Sequence, residues 1–306
     1  MELHQLRYVL AIADTGNFTR AAEASFVSQP SLSQQVAKLE SELDHKLFHR
    51  LGRRAVPTDA GEILIERARR ILFEVDNVTN EIHDDPALGG QVTVGMIQTV
   101  APYVLPKLIR RCHEEYPHMK INSFEGFRGD LVDGVLEGQV DLALIPLPFH
   151  DPRVSTEPLF REPLMLAVGR NHPLASKRRF TAQDLKDETF IMLGRGSSLT
   201  AQIYEYCGEH DFEPSIGHRC AQVSTLKALV GLGRGIAILP KLAQHPNDHD
   251  HLVYRQIVGR TPEREIAMVR HLQRYQSQGT RQFLKVLREV LRGHGATRAP
   301  IPINGE

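Results

Sequence analysis

The stretch Asn17-Phe18-Thr19-Arg20-Ala21-Ala22-Glu23-Ala24-Ser25, followed by Ser28-Gln29-Pro30-Ser31-Leu32-Ser33-Gln34-Gln35-Val36-Ala37-Lys38-Leu39, decides the fold of the first sixty residues. Asn17 is placed to cap a short helix, and Ala21 and Ala22 are small enough to let another helix approach closely. After a very short turn Ser28 caps the next helix, with Pro30 in its first turn, where a missing N–H costs nothing. Leu32, Val36, Leu39 and Leu43 recur at helical spacing and predict its buried stripe. Gln29, Ser31, Ser33, Gln34 and Lys38 point away from that stripe. Most of them donate or accept hydrogen bonds without fixed charge, as a helix must to read base edges in a major groove. Two short helices joined by a tight turn, the second polar in its N-terminal half, make a helix-turn-helix. A solvated helix face has the same polarity, so the neighbouring sequence has to decide.

Upstream, Leu3, Leu6, Leu10 and Ala13 predict an amphipathic helix over 2–14, ended by Thr15-Gly16. Downstream, 48–58 reads as a β-hairpin with its turn near Gly52 and the guanidinium groups of Arg50, Arg53 and Arg54 around the tip. In the whole chain of 306 residues, 37 Lys+Arg balance 37 Asp+Glu. A chain that coats nucleic acid nonspecifically is basic overall, so a nucleic-acid role here requires a local patch, and this tip is one. Arginine at such a wing pairs with phosphates or enters the minor groove.

Phe18-Thr19-Arg20-Ala21-Ala22, Ser28-Gln29-Pro30-Ser31-Leu32-Ser33, Lys38-Leu39-Glu40, Leu47-Phe48-His49-Arg50 and Pro57-Thr58-Asp59-Ala60-Gly61 resemble, in order and spacing, the N-terminal signature of LysR-type transcriptional regulators. The resemblance implies a sequence-specific regulator whose partner is double-stranded DNA. It puts Gln29, Pro30, Ser33 and Gln34 on the recognition helix and Arg53 on the wing. Thr19, Arg20, Ser28, Ser31, Lys38, Arg50 and Arg54 complete the expected DNA-contacting set. The family often has Arg where this chain has Gln34.

Thr58 can cap a long helix, with Asp59 and Glu62 near its N-terminus where the dipole favours anions. Along it Leu64, Ala68, Ile71, Val75, Val78 and Ile82 follow spacings of 4, 3, 4, 3 and 4, an a/d seam over nearly three heptads. Such a seam pairs with its twin or packs on the chain's own body. The family resemblance implies the first: a dimer through this helix, usually a tetramer, with RNA polymerase as a further partner. Asp84-Asp85-Pro86-Ala87-Leu88-Gly89-Gly90 is the expected hinge.

From Gln91 onward strands alternate with helices in two groups, which predicts parallel sheets in two subdomains with a cleft between them. The resemblance implies two lobes like those of periplasmic binding proteins, and Gly233-Arg234-Gly235-Ile236-Ala237-Ile238-Leu239-Pro240 resembles a recurring second-lobe motif. The expected fold is therefore an all-α winged helix-turn-helix over 1–58, a linker helix and hinge over 59–88, and an α/β effector domain over 89–306. Lobe I is expected at 91–161 and 267–292, and lobe II at 162–266. The polar tail from Gly293 is expected to be disordered.

Thr99 with Val100, Ser197 with Ser198, and Ser224 with Thr225 each open a predicted helix at the carboxyl end of a strand. Hydroxyls converging from three helix N-termini make a site for a small polar or anionic effector, and Arg128 and Arg195 in adjoining loops can pair with a carboxylate. Plain helix caps are the alternative. Gln98 to Pro106 resembles the peroxide-sensing OxyR-like branch of the family, which pairs a reactive cysteine with a resolving one eight intervening residues later. Cys207 falls at the resolving position and Ser198 at the reactive one; a hydroxyl cannot form a sulfenic acid, so that relay is not available. A thiol switch between Cys207 and Cys220 remains the alternative.

Three cysteines exclude a disulfide scaffold and fit a reducing compartment. No basic-then-apolar leader opens the chain, and its apolar runs are too short for a membrane span, so the expected location is the cytoplasm. A solute-binding protein whose N-terminus only dimerises is the competing class; the missing leader and the Arg-rich wing argue against it. No nucleophile elbow, Walker loop, dinucleotide fingerprint or zinc-protease motif occurs, so neither an enzyme nor a cofactor is expected. Asp248-His249-Asp250-His251, with His245 nearby, has metal-ligand character, but a solvated loop without metal is the expectation.

Overall fold

Short polar side chains start the helices of the N-terminal unit, Met1–His83. Asn17 Oδ1 accepts from the backbone N–H groups of Thr19 and Arg20 at 2.8 and 3.1 Å, starting α2 (Phe18–Ala24) after α1 (Leu3–Thr15). Ser28 Oγ accepts from Ser31 N at 3.3 Å and starts α3 (Gln29–Leu43). A computed structural model of the chain describes residues 1–82, 84, 90–177 and 180–292. The expected hinge, apart from Asp84 and Gly90, and the expected tail from Gly293 lie outside the described residues.

Val9 and Ile12 of α1 meet Ala21, Ala22, Leu32, Val36 and Leu39 in one core. Two expectations shift. Leu3 is exposed, and the inner stripe of α1 is Leu6, Val9 and Ile12. Leu43 is also exposed, and Glu40 is buried in its place. Its carboxylate accepts from Leu47 N at 2.9 Å and Lys46 Nζ at 2.7 Å, partners that make burial of a charge tolerable.

The hairpin is β1 (Phe48–Leu51) with β2 (Arg54–Pro57), antiparallel, and Gly52 takes φ +63° at its tip. Two bonds tie it to the turn before α2: Asn17 Nδ2 donates to the Arg53 carbonyl at 2.6 Å, and Ala55 N donates to the Gly16 carbonyl at 2.8 Å. Thr58 Oγ1 accepts from Gly61 N at 3.0 Å and starts α4 (Asp59–Ile82). Gly61 is required there, because a Cβ would lie 2.0 Å from the Leu47 carbonyl oxygen.

The seam on α4 divides. Leu64 and Ala68 pack with Leu72 against Leu6 and Leu10 of α1, and Ala68 is wholly buried. These two positions serve the unit's own core, a correction to the expectation of one continuous seam. Ile71, Val78 and Ile82 are exposed by 38%, 54% and 75%, and Val75 is half-buried.

The second unit, Asp84–Glu306, runs β3 (Gln91–Ile97), α5 (Ala101–Glu115), β4 (Lys120–Gly126), α6 (Arg128–Leu136), β5 (Leu142–Pro146), β6 (Val154–Gly169) and α7 (Pro173–Ser176). It continues through β7 (Thr189–Leu193), α8 (Ser198–Gly208), β8 (Ser215–Cys220), α9 (Val223–Gly231), β9 (Ala237–Pro240), β10 (Leu252–Gln256), β11 (Glu263–His271) and α10 (Gln278–Leu291). The sheet order is β10-β6-β11-β5-β3-β4 with β9 also on β6, and β7 pairs β8 separately.

Parallel pairing holds for β3 with β4 and β5, and for β7 with β8; the pairs of β6 with β9, β10 and β11, and of β11 with β5, are antiparallel. The sheets are thus mixed rather than parallel as predicted. The reason is β6, a strand of 16 residues whose first part pairs β11 and whose last part pairs β9 and β10. Two hydrophobic cores result: one draws on 92–160 and 266–291, the other on 164–257. Among the described residues no helix is long and apolar enough to cross a membrane.

Candidate functional site

On α3 the side chains of Ser31, Gln34 and Lys38 are exposed, as are Ser28 and Pro30 at its start, while Gln29 and Ser33 are half-buried. Thr19 and Arg20 are exposed on α2. Arg50 differs from the other two wing arginines. Its guanidinium lies 4.1 Å from the Phe18 ring centroid and donates to Ser33 Oγ at 2.8 Å, so it links wing, α2 and α3. Arg53 and Arg54, on either side of the tip, are exposed, and among the described residues their side chains make no hydrogen bond or ion pair. They are the two wing cations open to phosphate.

In the second unit the predicted hydroxyls part company. Thr99, Arg128, Ser197 and Ser198 line one pocket of about 10 Å³, together with Gln98 and Phe127. Ser197 is the N-cap of α8, yet its side chain makes no cap bond, so its hydroxyl is left for the pocket. Arg128 is half-buried and donates to the Pro148 carbonyl at 3.2 Å. Thr99 is 3% exposed and already engaged: its Oγ1 accepts from Arg264 Nη1 at 2.6 Å and its carbonyl from Nη2 at 3.2 Å.

Three further expectations are corrected. Val100, at the N-cap of α5, is wholly buried in the lobe I core and does not line the pocket. Ser224 lines a different, larger cavity, and Thr225 is exposed and lines neither. Arg195 is exposed and lies outside both.

Arg264, which sequence reading missed, is the centre of this region. It donates twice to Glu162 Oε1, at 2.9 and 2.8 Å, and Glu162 Oε2 accepts from Leu242 N at 2.6 Å. The two side chains are 1% and 5% exposed. They stand at the start of β11 and on β6, two paired strands of which β6 contributes to both cores. Burial pulls the guanidinium below its ordinary pKa, and Glu162 beside it pushes the other way.

The larger cavity, about 930 Å³, lies between the start of α5 and the end formed by α9 and 245–252. Asp248 is its polar anchor. Its Oδ2 accepts from Lys227 Nζ and Tyr254 Oη at 2.7 Å each and from His245 N at 2.9 Å. Burial would raise its pKa, but these bonds and the Lys227 charge hold it below the usual carboxylate value. The His/Asp run is solvent-exposed as expected, but it is ordered as a 3₁₀ turn, Pro246–Asp250, around the half-buried Asp248 carboxylate. Among the described residues no group of His, Cys, Asp or Glu could hold a metal. Tyr103 faces the same cavity, and burial followed by the Asp248 charge pushes its hydroxyl up to about 12.

All three cysteines are buried and free. Burial pushes the Cys207 thiol up to about 12 and raises Cys220 as well. Such thiols are poor nucleophiles.

The chain matches two family models: "Bacterial regulatory helix-turn-helix protein, lysR family" over residues 3–62 and "LysR substrate binding domain" over 87–292. It is 34% identical over 272 residues to the hydrogen peroxide-inducible genes activator of Dickeya chrysanthemi, covering 88% of this chain and 89% of that protein. The same identity and coverage hold for the DNA-binding transcriptional dual regulator OxyR of Escherichia coli (strain K12). Among solved structures, full-length OxyR from Pseudomonas aeruginosa superimposes with a TM-score of 0.70 at 29% identity, covering 95% of each chain. A hydrogen-peroxide-bound mutant of Corynebacterium glutamicum OxyR gives 0.61 at 28% identity, covering 95% and 93%. CbnR in complex with its target DNA, at 24% identity and a TM-score of 0.64 over 95% and 100% of the two chains, shares the fold.

Proposed function

The chain belongs to the LysR family of DNA-binding transcriptional regulators, which are not enzymes, and from that premise we propose how it works: a small polar or anionic effector, bound at the Thr99–Ser198 pocket between the lobes, resets how the protein grips its operator. The observation that carries this reading is the meeting of Arg128, Ser197 and Ser198 with Thr99, the one residue there that the buried Arg264–Glu162 pair holds. An effector that competes for the Thr99 hydroxyl changes what Arg264 grips, and so acts through Glu162 on β6, the strand that contributes to both cores. A pocket of about 10 Å³ has room for roughly one water. The effector is therefore either very small or enters as the lobes part, selecting an open arrangement.

On the DNA side, Ser31, Gln34 and Lys38 read the operator with Gln29 and Ser33, and Arg53 and Arg54 grip phosphate or the minor groove. Arg50 acts by positioning Ser33 and the wing. The exposed part of the α4 seam, Ile71, Val75, Val78 and Ile82, pairs with a second copy; a tetramer and contact with RNA polymerase follow the family pattern. The working boundaries are 1–58, 59–88 and 89–306, with lobe II at 162–266, and the site of action is the cytoplasm.

The names of the relatives favour a second reading, a response to peroxide. Against a thiol version stand the burial of Cys207 and Cys220, which keeps both protonated, and a serine at 198. One experiment separates the two: footprints on a promoter recovered by genome-wide mapping of bound DNA, with Ser198→Ala beside Cys207→Ser/Cys220→Ser. The effector reading expects the serine variant to lose the ligand-driven shift while the cysteine variant keeps it. The opposite pattern, with a peroxide-driven loss of two hydrogens joining the two cysteines, would sink it.

A further inference from the structure

The larger cavity lies outside the DNA interface and shares only Gln98 with the Thr99–Ser198 pocket. We infer that it is a second ligand site, taking a neutral, ring-sized molecule with an apolar body and an amide-type edge that offers one donor beside one acceptor. At about 930 Å³ it falls in the range of roughly 300–1,000 Å³ that small-molecule sites occupy. Pro102, Tyr103, Val223, Ala228 and Leu252 supply apolar wall.

The polar end has an unusual state of satisfaction. Lys227 and Asp248 face each other at 2.7 Å with side chains only 12% and 15% exposed. Lys227 also donates to the Ala243 carbonyl, so two of its three protons are committed and one is not. Asp248 takes its three bonds on Oδ2, and its Oδ1 takes none. Among the described residues the Tyr103 hydroxyl has no hydrogen-bond partner either. Among the described residues one donor proton of Lys227 and one oxygen of Asp248 are thus left over on a pair whose charges cancel.

That cancellation selects the ligand. An anion at the uncommitted Lys227 proton would lie close to the Asp248 carboxylate, and a cation at Asp248 Oδ1 close to the Lys227 ammonium, so each is repelled by the other half of a pair held at 2.7 Å and low exposure. A neutral N–H beside a C=O satisfies both without breaking the pair. Glu125, His245 and His251 also border the cavity, but all three are exposed, where water screens them.

The site also spans the lobes. Tyr103 comes from α5, beside the lobe I core, yet packs against the lobe II core, with Lys227 Nζ 5.7 Å from its ring centroid. An occupant touching Tyr103 and Lys227 together favours the arrangement in which they face each other, so its binding is coupled to lobe position without using the first pocket.

The test uses the full-length protein and three isosteric probes, benzamide, benzoate and benzylamine, read by saturation-transfer NMR titration. Benzamide should bind saturably in the millimolar range, with the two charged probes at least about tenfold weaker. Ala228→Trp, which fills the cavity without breaking the ion pair, should abolish binding. Tyr103→Phe should weaken it several-fold, and Ser198→Ala, in the other pocket, should leave it unchanged. If circular dichroism shows the Trp variant misfolded, Tyr103→Phe decides, since it removes one oxygen and keeps the packing. No saturation by about 10 mM benzamide, equal binding of benzoate, or indifference to Tyr103→Phe would overturn the assignment. Loss in Ser198→Ala instead would assign the binding to the first pocket, and leave the effector reading standing while this one fell.

Discussion

The DNA-reading unit and the effector unit put their polar side chains to opposite uses. In the first, Ser31, Gln34, Lys38, Arg53 and Arg54 stand in solvent and wait for a partner from outside. In the second, Thr99, Glu162 and Arg264 are all at least 95% buried and already hold one another. An exposed group costs little to keep and little to lose until DNA arrives. A buried one is part of the fold, so any ligand that recruits it must compete with an existing bond. The same chain thus has a recognition surface that is cheap to edit and a control region that is not.

Arg264→Met tests that contrast hardest. It leaves the Glu162 carboxylate buried with only Leu242 N for company, and should cost about 3–5 kcal/mol in urea unfolding. Pairing it with Glu162→Gln should restore much of the loss. A cost below about 1 kcal/mol would mean the pair is wet, and the contrast would fail.

The long helix carries both behaviours on one element. Ala68→Lys puts a charge into a filled contact with Leu6 and should destabilise the N-terminal unit by about 2–4 kcal/mol. Ile71→Lys, one turn on and exposed, should change stability by no more than about 0.5 kcal/mol. It should nevertheless weaken self-association about a hundredfold in sedimentation runs if that face is the dimer seam. A dimer indifferent to Ile71→Lys would move the interface elsewhere.

On the recognition surface the effects are smaller and separable. Arg53→Ala should weaken binding to operator and scrambled DNA alike and lower the salt slope by about 1. Gln34→Ala should change which operator is preferred, by about 1–3 kcal/mol. Gel-shift titrations at several salt concentrations distinguish the two, and identical behaviour of both variants would remove the division between gripping and reading. A modest gain is expected at Phe26, which is 96% exposed in a left-handed conformation with φ +54°. Asn tolerates that backbone better, so Phe26→Asn should raise stability by about 1 kcal/mol and shift the melting temperature upward.

The contrast also explains what the sequence disclosed. In the N-terminal unit the caps Asn17, Ser28 and Thr58, the hairpin about Gly52 and the polar face of α3 all follow from neighbours within a few residues. Periodicity and capping chemistry read them directly. Glu40 was missed because a carboxylate is counted as surface until its partners, Lys46 and Leu47, are seen to fold back on it. In the effector unit helix starts were legible but their roles were not. Thr99 is separated from Arg264 by 165 residues, and nothing local in Glu-Arg-Glu at 263–265 marks the middle residue as buried. The strands β8 and β10 are hard to read from sequence, because Ser215–Cys220 is mostly exposed and Leu252–Gln256 mostly half-buried, so neither shows the continuous apolar run of a central strand. The three hydroxyl pairs were grouped by analogy of position, and Ser224 lines a different cavity from Thr99 and Ser198.

One feature of the chain's path has a bearing on how the protein is made. The core of lobe II is a single run, 164–257, whereas that of lobe I needs both 92–160 and the final strand and helix, with Ile266, Met268, Phe283 and Leu287. On the ribosome lobe II can therefore close as soon as β10 has emerged, while lobe I waits, with its β5 edge unpaired, for β11. The later-folding half is the one that begins first. A chain stopped before Glu263 is expected to hold a folded lobe II beside an open lobe I, and the bare edge of β5 is where such a fragment would stick to others of its kind.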